Sequence, residues 1–179
     1  MTAPSPHALR TADLPTGRPA AFALAPETAE RAQIAAQLDL SELRKLRFDG
    51  QIAAQGKRDF ALEGTLGATL VQPCVVTLEP VVTRIDTPVF RVFAADYAVP
   101  EDSEVEMPED DSVEPLGPWI DPWAVMIEAL SLAVPPYPRK DGADLGEAQF
   151  AAPGVTPMTD EAARPFAGLA SLRDRLKDT

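Results

Sequence analysis

From Asp59 to Leu70 the chain alternates clearly, with Phe60, Leu62, Leu66, Ala68 and Leu70 on even positions and Asp59, Glu63, Thr65 and Thr69 on odd ones. A period of two sustained over this length describes a long strand buried on one face and wetted on the other. Such a face is stable only when other elements cover it, so this one segment already demands a sheet with helices packed on it. Gly64 and Gly67 fall inside the run, where they are expected to give a bend or bulge.

The neighbouring segments extend the same pattern. Leu46, Phe48, Ile52 and Ala54 point one way before a turn at Gly56-Lys57, and Val81, Thr83, Ile85, Thr87 and Val89 form a return strand. Phe90 and Val92 sit on the opposite phase, which predicts a bulge or bend near Pro88. Upstream, Pro26-Glu27-Thr28 reads as a helix start, and Ile34 and Leu38 share one face of the helix that follows. Leu40, Leu43 and Leu46 recur every third residue and predict a short second helix. Pro19 to Leu24 can supply one more short strand.

Downstream, Asp121 is placed as an N-cap with Pro122 as the first helical residue. That helix carries the stripe Trp123, Met126, Ile127, Leu130 and Val134, with Pro135, Pro136 and Pro138 ending it. Glu128 lies within the apolar helix and is expected at an exposed position beside the stripe. The fold class is α+β, an antiparallel meander or partly closed sheet packed by an N-terminal helix and an acidic helix in the C-terminal half. Residues 1–18 read as a disordered tail and 19–138 as a single domain containing an acidic loop at 96–115. Residues 139–163 read as a flexible linker and 164–179 as a terminal helix with Phe166, Leu169, Leu172 and Leu176 on one side.

Charge is divided unevenly. The chain has 16 basic and 28 acidic residues, yet Met1 to Arg91 is neutral with 10 of each. Val92 to Pro138 holds 11 acidic residues and no Lys or Arg, so it carries nearly all of the net charge of −12. Such a block repels a phosphate backbone and favours encounter with a basic protein. Glu101, Asp102, Glu104, Glu106, Glu109, Asp110 and Asp111 are therefore candidate partner-binding residues, together with Phe166 and Leu169 of the terminal helix. The plain alternative is a solvated, Pro-punctuated loop. Arg44, Lys45, Arg47, Lys57 and Arg58 could form a local basic patch for direct RNA contact.

Catalytic signatures are missing. One cysteine and one histidine preclude an internal disulfide and a Cys/His zinc site, and no glycine-rich phosphate loop follows a strand. Cys74 stands in an apolar setting without a neighbouring cation, which reads as a structural thiol rather than a nucleophile. Asp121 and Glu128 are seven apart on one helix, about 10 Å by helical rise, and no substrate-binding feature accompanies them. No small-molecule substrate or cofactor is implied. The longest apolar runs fall far short of a membrane span, and no secretory signal is read at the start, so the cytoplasm is the expected location.

Three segments together carry a resemblance. Gln72-Pro73-Cys74-Val75-Val76-Thr77-Leu78-Glu79-Pro80-Val81, then Ile120-Asp121-Pro122-Trp123 with Glu128 to Pro135 and Pro138, then Arg164-Pro165-Phe166-Ala167-Gly168-Leu169, resemble the YceD family in order and spacing. The resemblance spans about Pro19 to Lys177. Cys74, Thr77, Leu78 and Pro80 match the family's central turn, and Asp121, Glu128 and Pro135 its acidic helix. What it implies is a non-enzymatic cytoplasmic protein required for accumulation or processing of 23S rRNA and assembly of the large ribosomal subunit. Its expected partner is a basic ribosomal protein or an assembly factor, with direct rRNA contact or a binding role unrelated to ribosomes as the alternatives. Some relatives carry a cysteine-rich segment after the helix; Arg139 to Phe150 has none, so no metal site is implied.

Overall fold

The computed structural model describes residues 4–97, 112–144, 146, 151–152 and 154–156. In chain order the elements are β1 (Leu9–Arg10), a 3₁₀ turn (Thr11–Asp13), β2 (Ala20–Leu24), α1 (Thr28–Gln37), β3 (Glu42–Gln55), β4 (Asp59–Pro73), β5 (Pro80–Ala94), β6 (Val113–Pro115), β7 (Trp119–Ile120) and α2 (Pro122–Ala133). The main sheet has the order β2-β3-β4-β5-β6, antiparallel except for the parallel β5–β6 pair, and a separate two-stranded sheet joins β1 to β7. The main sheet is open rather than closed on itself. The chain divides into two units, residues 1–141 and 142–179.

The alternation of β4 works as its sequence demands. Phe60, Leu62, Leu66, Ala68 and Leu70 are all buried, and they join Phe48 and Ile52 of β3 in one core with Ile34 of α1 and Met126 and Leu130 of α2. Each fully buried side chain of this size stabilises the fold by about 1.5–3 kcal/mol. The helix starts follow from local chemistry. Glu27 and Glu30 close a reciprocal capping box on α1, while Asp121 accepts from the amides of Trp123 and Ala124 ahead of Pro122 at the start of α2.

Several expectations are corrected. Leu40, Leu43 and Leu46 do not form a second helix, because β3 already begins at Glu42 and the pairing register shifts between Leu43 and Lys45. A bulge adds one residue to the strand, so Leu43 and Leu46 both face the core at a spacing that imitates a helix. No bend or bulge occurs at Pro88, since β5 keeps an unbroken register with β4 and its odd positions stay inward through Phe93. Pro88 is tolerated because its nitrogen faces the edge of β5 away from β4, four residues before Val92 uses that same edge to donate to Ser112. Phe90 is consequently exposed.

The glycines of β4 also act differently from the expectation. Register is continuous at Gly64, which sits opposite Gly50. The pair makes room for two rings: a Cβ on Gly64 would lie 2.7 Å from Phe48, and one on Gly50 2.7 Å from Phe22. Phe22 and Phe48 meet above them with centroids 5.0 Å apart.

In α2, the fully packed side is Pro122, Val125, Met126, Ala129 and Leu130, whereas Trp123, Ile127 and Val134 lie only partly buried at its margin. The segment before β2 was expected to be a tail without order; β1 pairs Leu9 with Ile120 and Arg10 with Trp119. The expected terminal helix, with Phe166 and Leu169, lies outside the described residues.

Adding a methyl at Gly50 pushes against the Glu63 carbonyl and the Gly64 Cα, both backbone atoms that cannot swing aside. Gly50→Ala should lower the unfolding free energy by about 1–3 kcal/mol in urea titration, whereas Gly17→Ala, with nothing within 4 Å, should leave the midpoint unchanged.

Candidate functional site

The β4–β5 connection is built around Cys74. Its amide donates to the Glu79 carbonyl at 2.8 Å and its carbonyl accepts from Leu78 at 2.9 Å, which closes the turn. Leu78 takes a left-handed conformation, φ 60°, and its side chain projects into solvent at 77% exposure. The thiol is buried and receives the amides of Thr77 at 3.5 Å and Lys140 at 3.4 Å. Hydrogen bonding from the Thr77 side chain, then from the amides of Lys140 and Thr77, lowers the thiol from its ordinary value of 9.0 to about 6 against the opposing effect of desolvation.

This turn is fastened to the chain that follows α2. Val75 donates to the Pro138 carbonyl at 2.9 Å, the Gln72 side-chain amide donates to the Pro135 carbonyl at 3.2 Å, and Lys140 Nζ pairs with Glu79 at 2.6 Å. The cysteine turn and the proline-terminated helix end therefore form one tip, around which Val75, Leu78, Val82 and Tyr137 are all exposed.

At the other end of α2, Asp121 is a hub. Besides capping the helix it accepts from the Ser5 amide at 2.9 Å and the Ser5 hydroxyl at 2.7 Å. His7 stacks on Trp123 with centroids 5.1 Å apart, and the Arg10 guanidinium lies 5.6 Å from the Trp119 ring centroid. Trp119, Trp123, Pro118 and Ile127 line a recess of about 690 Å³ with Gln37 and Glu128 at its rim. Glu128 is exposed, as expected, and Arg91 binds it at 2.8 Å while also reaching Glu114 at 3.3 Å. Desolvation, and then the charge of Glu128, raise the Glu114 carboxyl above the usual carboxylate range, with Arg91 acting against both.

The structure thus distributes the family-motif positions over two places. Cys74, Thr77, Leu78, Pro80 and Pro135 meet at the tip; Asp121 and Glu128 lie along α2 beside the recess. The acids from Glu101 to Asp111 lie outside the described residues. Of the other acids in the negative block, Asp96 pairs with Arg58, Glu114 and Glu128 share Arg91, and Asp121 caps α2. The proposed basic patch is split. Arg44, Lys45 and Arg47 gather with Arg31 and Arg84 around a recess of about 320 Å³, while Lys57 and Arg58 occupy the β3–β4 turn at the far end of the hairpin.

Sequence reading missed Ser5, Arg91 and Lys140, whose roles depend on partners 23 to 116 positions away. The one local hint was that Arg91 is the last cation before a long stretch with none. Among the described residues, no three His, Cys, Asp or Glu side chains gather as a metal-binding group, and no helix is long and apolar enough to cross a membrane.

The sequence relates this chain to known proteins. It belongs to the YceD family: the family model described as "Large ribosomal RNA subunit accumulation protein YceD" matches residues 62–173, from within β4 through both motif regions. Neither comparison with curated proteins nor with solved structures gives a match.

Two outcomes test the geometry. Asp121→Ala removes the cap and the anchor for Ser5, and should cost about 1–2 kcal/mol of stability in thermal or urea unfolding. Because the folded turn favours the thiolate, unfolding takes up a proton between the two pKa values, so the contribution of Cys74 is full above about pH 9 and is lost as pH falls through about 6. The unfolding midpoint of the wild type relative to Cys74→Ala should therefore rise from pH 6 to pH 9; a difference independent of pH would contradict the thiolate assignment.

Proposed function

We propose that this chain is a non-enzymatic factor for accumulation of large-subunit ribosomal RNA, and that it acts by holding a basic ribosomal protein or another maturation factor through its acidic segment. Membership of the YceD family over residues 62–173 is the observation that carries the role in large-subunit rRNA accumulation. The charge division supports the mode of action. Of the block's 11 acids, the four among the described residues are engaged by a cation or a helix cap, and the other seven, from Glu101 to Asp111, stand in a stretch of sequence with no Lys or Arg. A run of that sign accelerates encounter with a positively charged surface and discriminates against polyanions.

The two ends of the acidic run leave and return side by side. Val92 donates to Ser112 at 2.8 Å and Leu116 to Ala94 at 2.9 Å, so β5 and β6 fix the feet of the segment at one edge of the sheet. A partner bound there meets a run of charge whose two flanks are already held by the sheet, which reduces the cost of binding.

The test is partner recovery with the full chain as bait. Large-subunit proteins or their assembly factors should be captured at low salt, and their yield should fall as salt rises. Changing all seven residues from Glu101 to Asp111 to their amides should remove most of the capture. Equal recovery by that variant would exclude the acidic run as the binding element, and recovery that disappears on nuclease treatment would assign the contact to RNA instead.

A further inference from the structure

We infer that the recess beside α2, walled by Trp119 and Trp123 and rimmed by Glu128, is a docking groove for an arginine-bearing, otherwise apolar segment of a basic protein. This inference rests on the proposed function for the existence of a basic partner, and adds the place and chemistry of its contact.

The walls supply the first argument. Two indoles, Pro118 and Ile127 make a largely apolar concavity of about 690 Å³, within the range of sites that enclose a ligand. Trp119 keeps 41% of its surface exposed although Ile120, beside it in β7, is fully buried. An exposed indole in a recess is a platform for aliphatic chains and for planar cations.

The chain itself demonstrates that chemistry. Arg10 lies over the Trp119 ring, and His7 stacks on Trp123 with an interplanar angle of 14°. Both indoles thus already accept a planar nitrogen-containing group from the N-terminal segment.

Electrostatics at the rim supply an independent argument for a cation. Among the described residues, Glu114 and Glu128 share one guanidinium, that of Arg91, which sets two carboxylates against one cation. The carboxyl of Glu114 responds to this excess, because the charge of Glu128 adds to desolvation in raising it. A second guanidinium arriving at the exposed edge of Glu128 relieves that repulsion, and an Arg–carboxylate contact of this kind is strong for its size. Asp121 also lines the recess, but its carboxylate is already engaged by Ser5 and by the amides of Trp123 and Ala124, so Glu128 is the more available acid.

The chain has two tryptophans, and both line this recess, so intrinsic emission reports on it directly. The full-length protein is titrated with a nine-residue peptide of alternating arginine and leucine, capped at both ends, and with the same peptide carrying glutamate in place of arginine. The arginine peptide should shift the emission saturably and the glutamate peptide should not. Glu128→Gln should weaken binding by about tenfold, near 1.4 kcal/mol. Gln37→Glu, which adds a rim carboxylate without touching the Arg91 cluster, should tighten it. The variant with Glu101 to Asp111 amidated should still bind and shift the emission.

An unmoved emission at saturating peptide, equal affinity for the glutamate peptide, or binding lost only in the amidated-loop variant would overturn the groove. Failure here with partner recovery intact would leave the assembly role standing on the acidic run. Peptide binding without any partner recovery would separate a real groove from a mistaken role.

Discussion

Everything in the main domain depends on β4 being paired on both sides while its even-numbered side chains all point one way. Hydrogen bonding to β3 and β5 satisfies its backbone, and the row from Phe60 to Leu70 becomes the floor on which the core is laid. Neither helix is long enough to be stable alone, α1 spanning 10 residues and α2 12. They are held because Ile34 from one and Met126 and Leu130 from the other reach the same core. The glycine pair at Gly50 and Gly64 is the price of that arrangement, since the rings of Phe22 and Phe48 need the space their missing side chains leave.

Two polar junctions then fix the positions of segments far apart in sequence. At one end of α2, Asp121 ties the N-terminal segment to the helix start through Ser5; at the other, the Cys74 turn receives donors from the chain beyond Pro135. A carboxylate with four donors and a buried thiol with two amide donors are demanding environments that tolerate few substitutes. They explain why residues separated in the chain, the cysteine turn and the proline-ended helix, belong to one structural unit.

Much of this was legible because it is local. The period of β4, the turn at Gly56, the Asp121-Pro122 start of α2 and the helix after Glu27 are written in adjacent residues, and the structure realises each. What misled was where a non-local event alters a local spacing. The bulge between Leu43 and Lys45 turns a strand into a three-residue repeat, and the opposite phase of Phe90 and Val92 imitates a bend near Pro88 although the register of β5 never changes. The N-terminal segment shows no pattern of its own because its order comes from Asp121, Trp119 and Ile120, more than a hundred residues away. At the candidate site, the motif residues could be listed from sequence, but their division between a tip and a recess, and the sharing of Arg91 by two carboxylates, required the fold.

A domain whose first 91 residues are neutral carries one concentrated run of negative charge downstream, and its family is that of large-subunit rRNA accumulation proteins. The most direct test is the ratio of large- to small-subunit rRNA, with precursor ends mapped, in cells depleted of the protein and in the same cells with the intact gene restored. The account predicts a selective fall in the large-subunit species that restoration reverses. An unchanged ratio under complete depletion would contradict it.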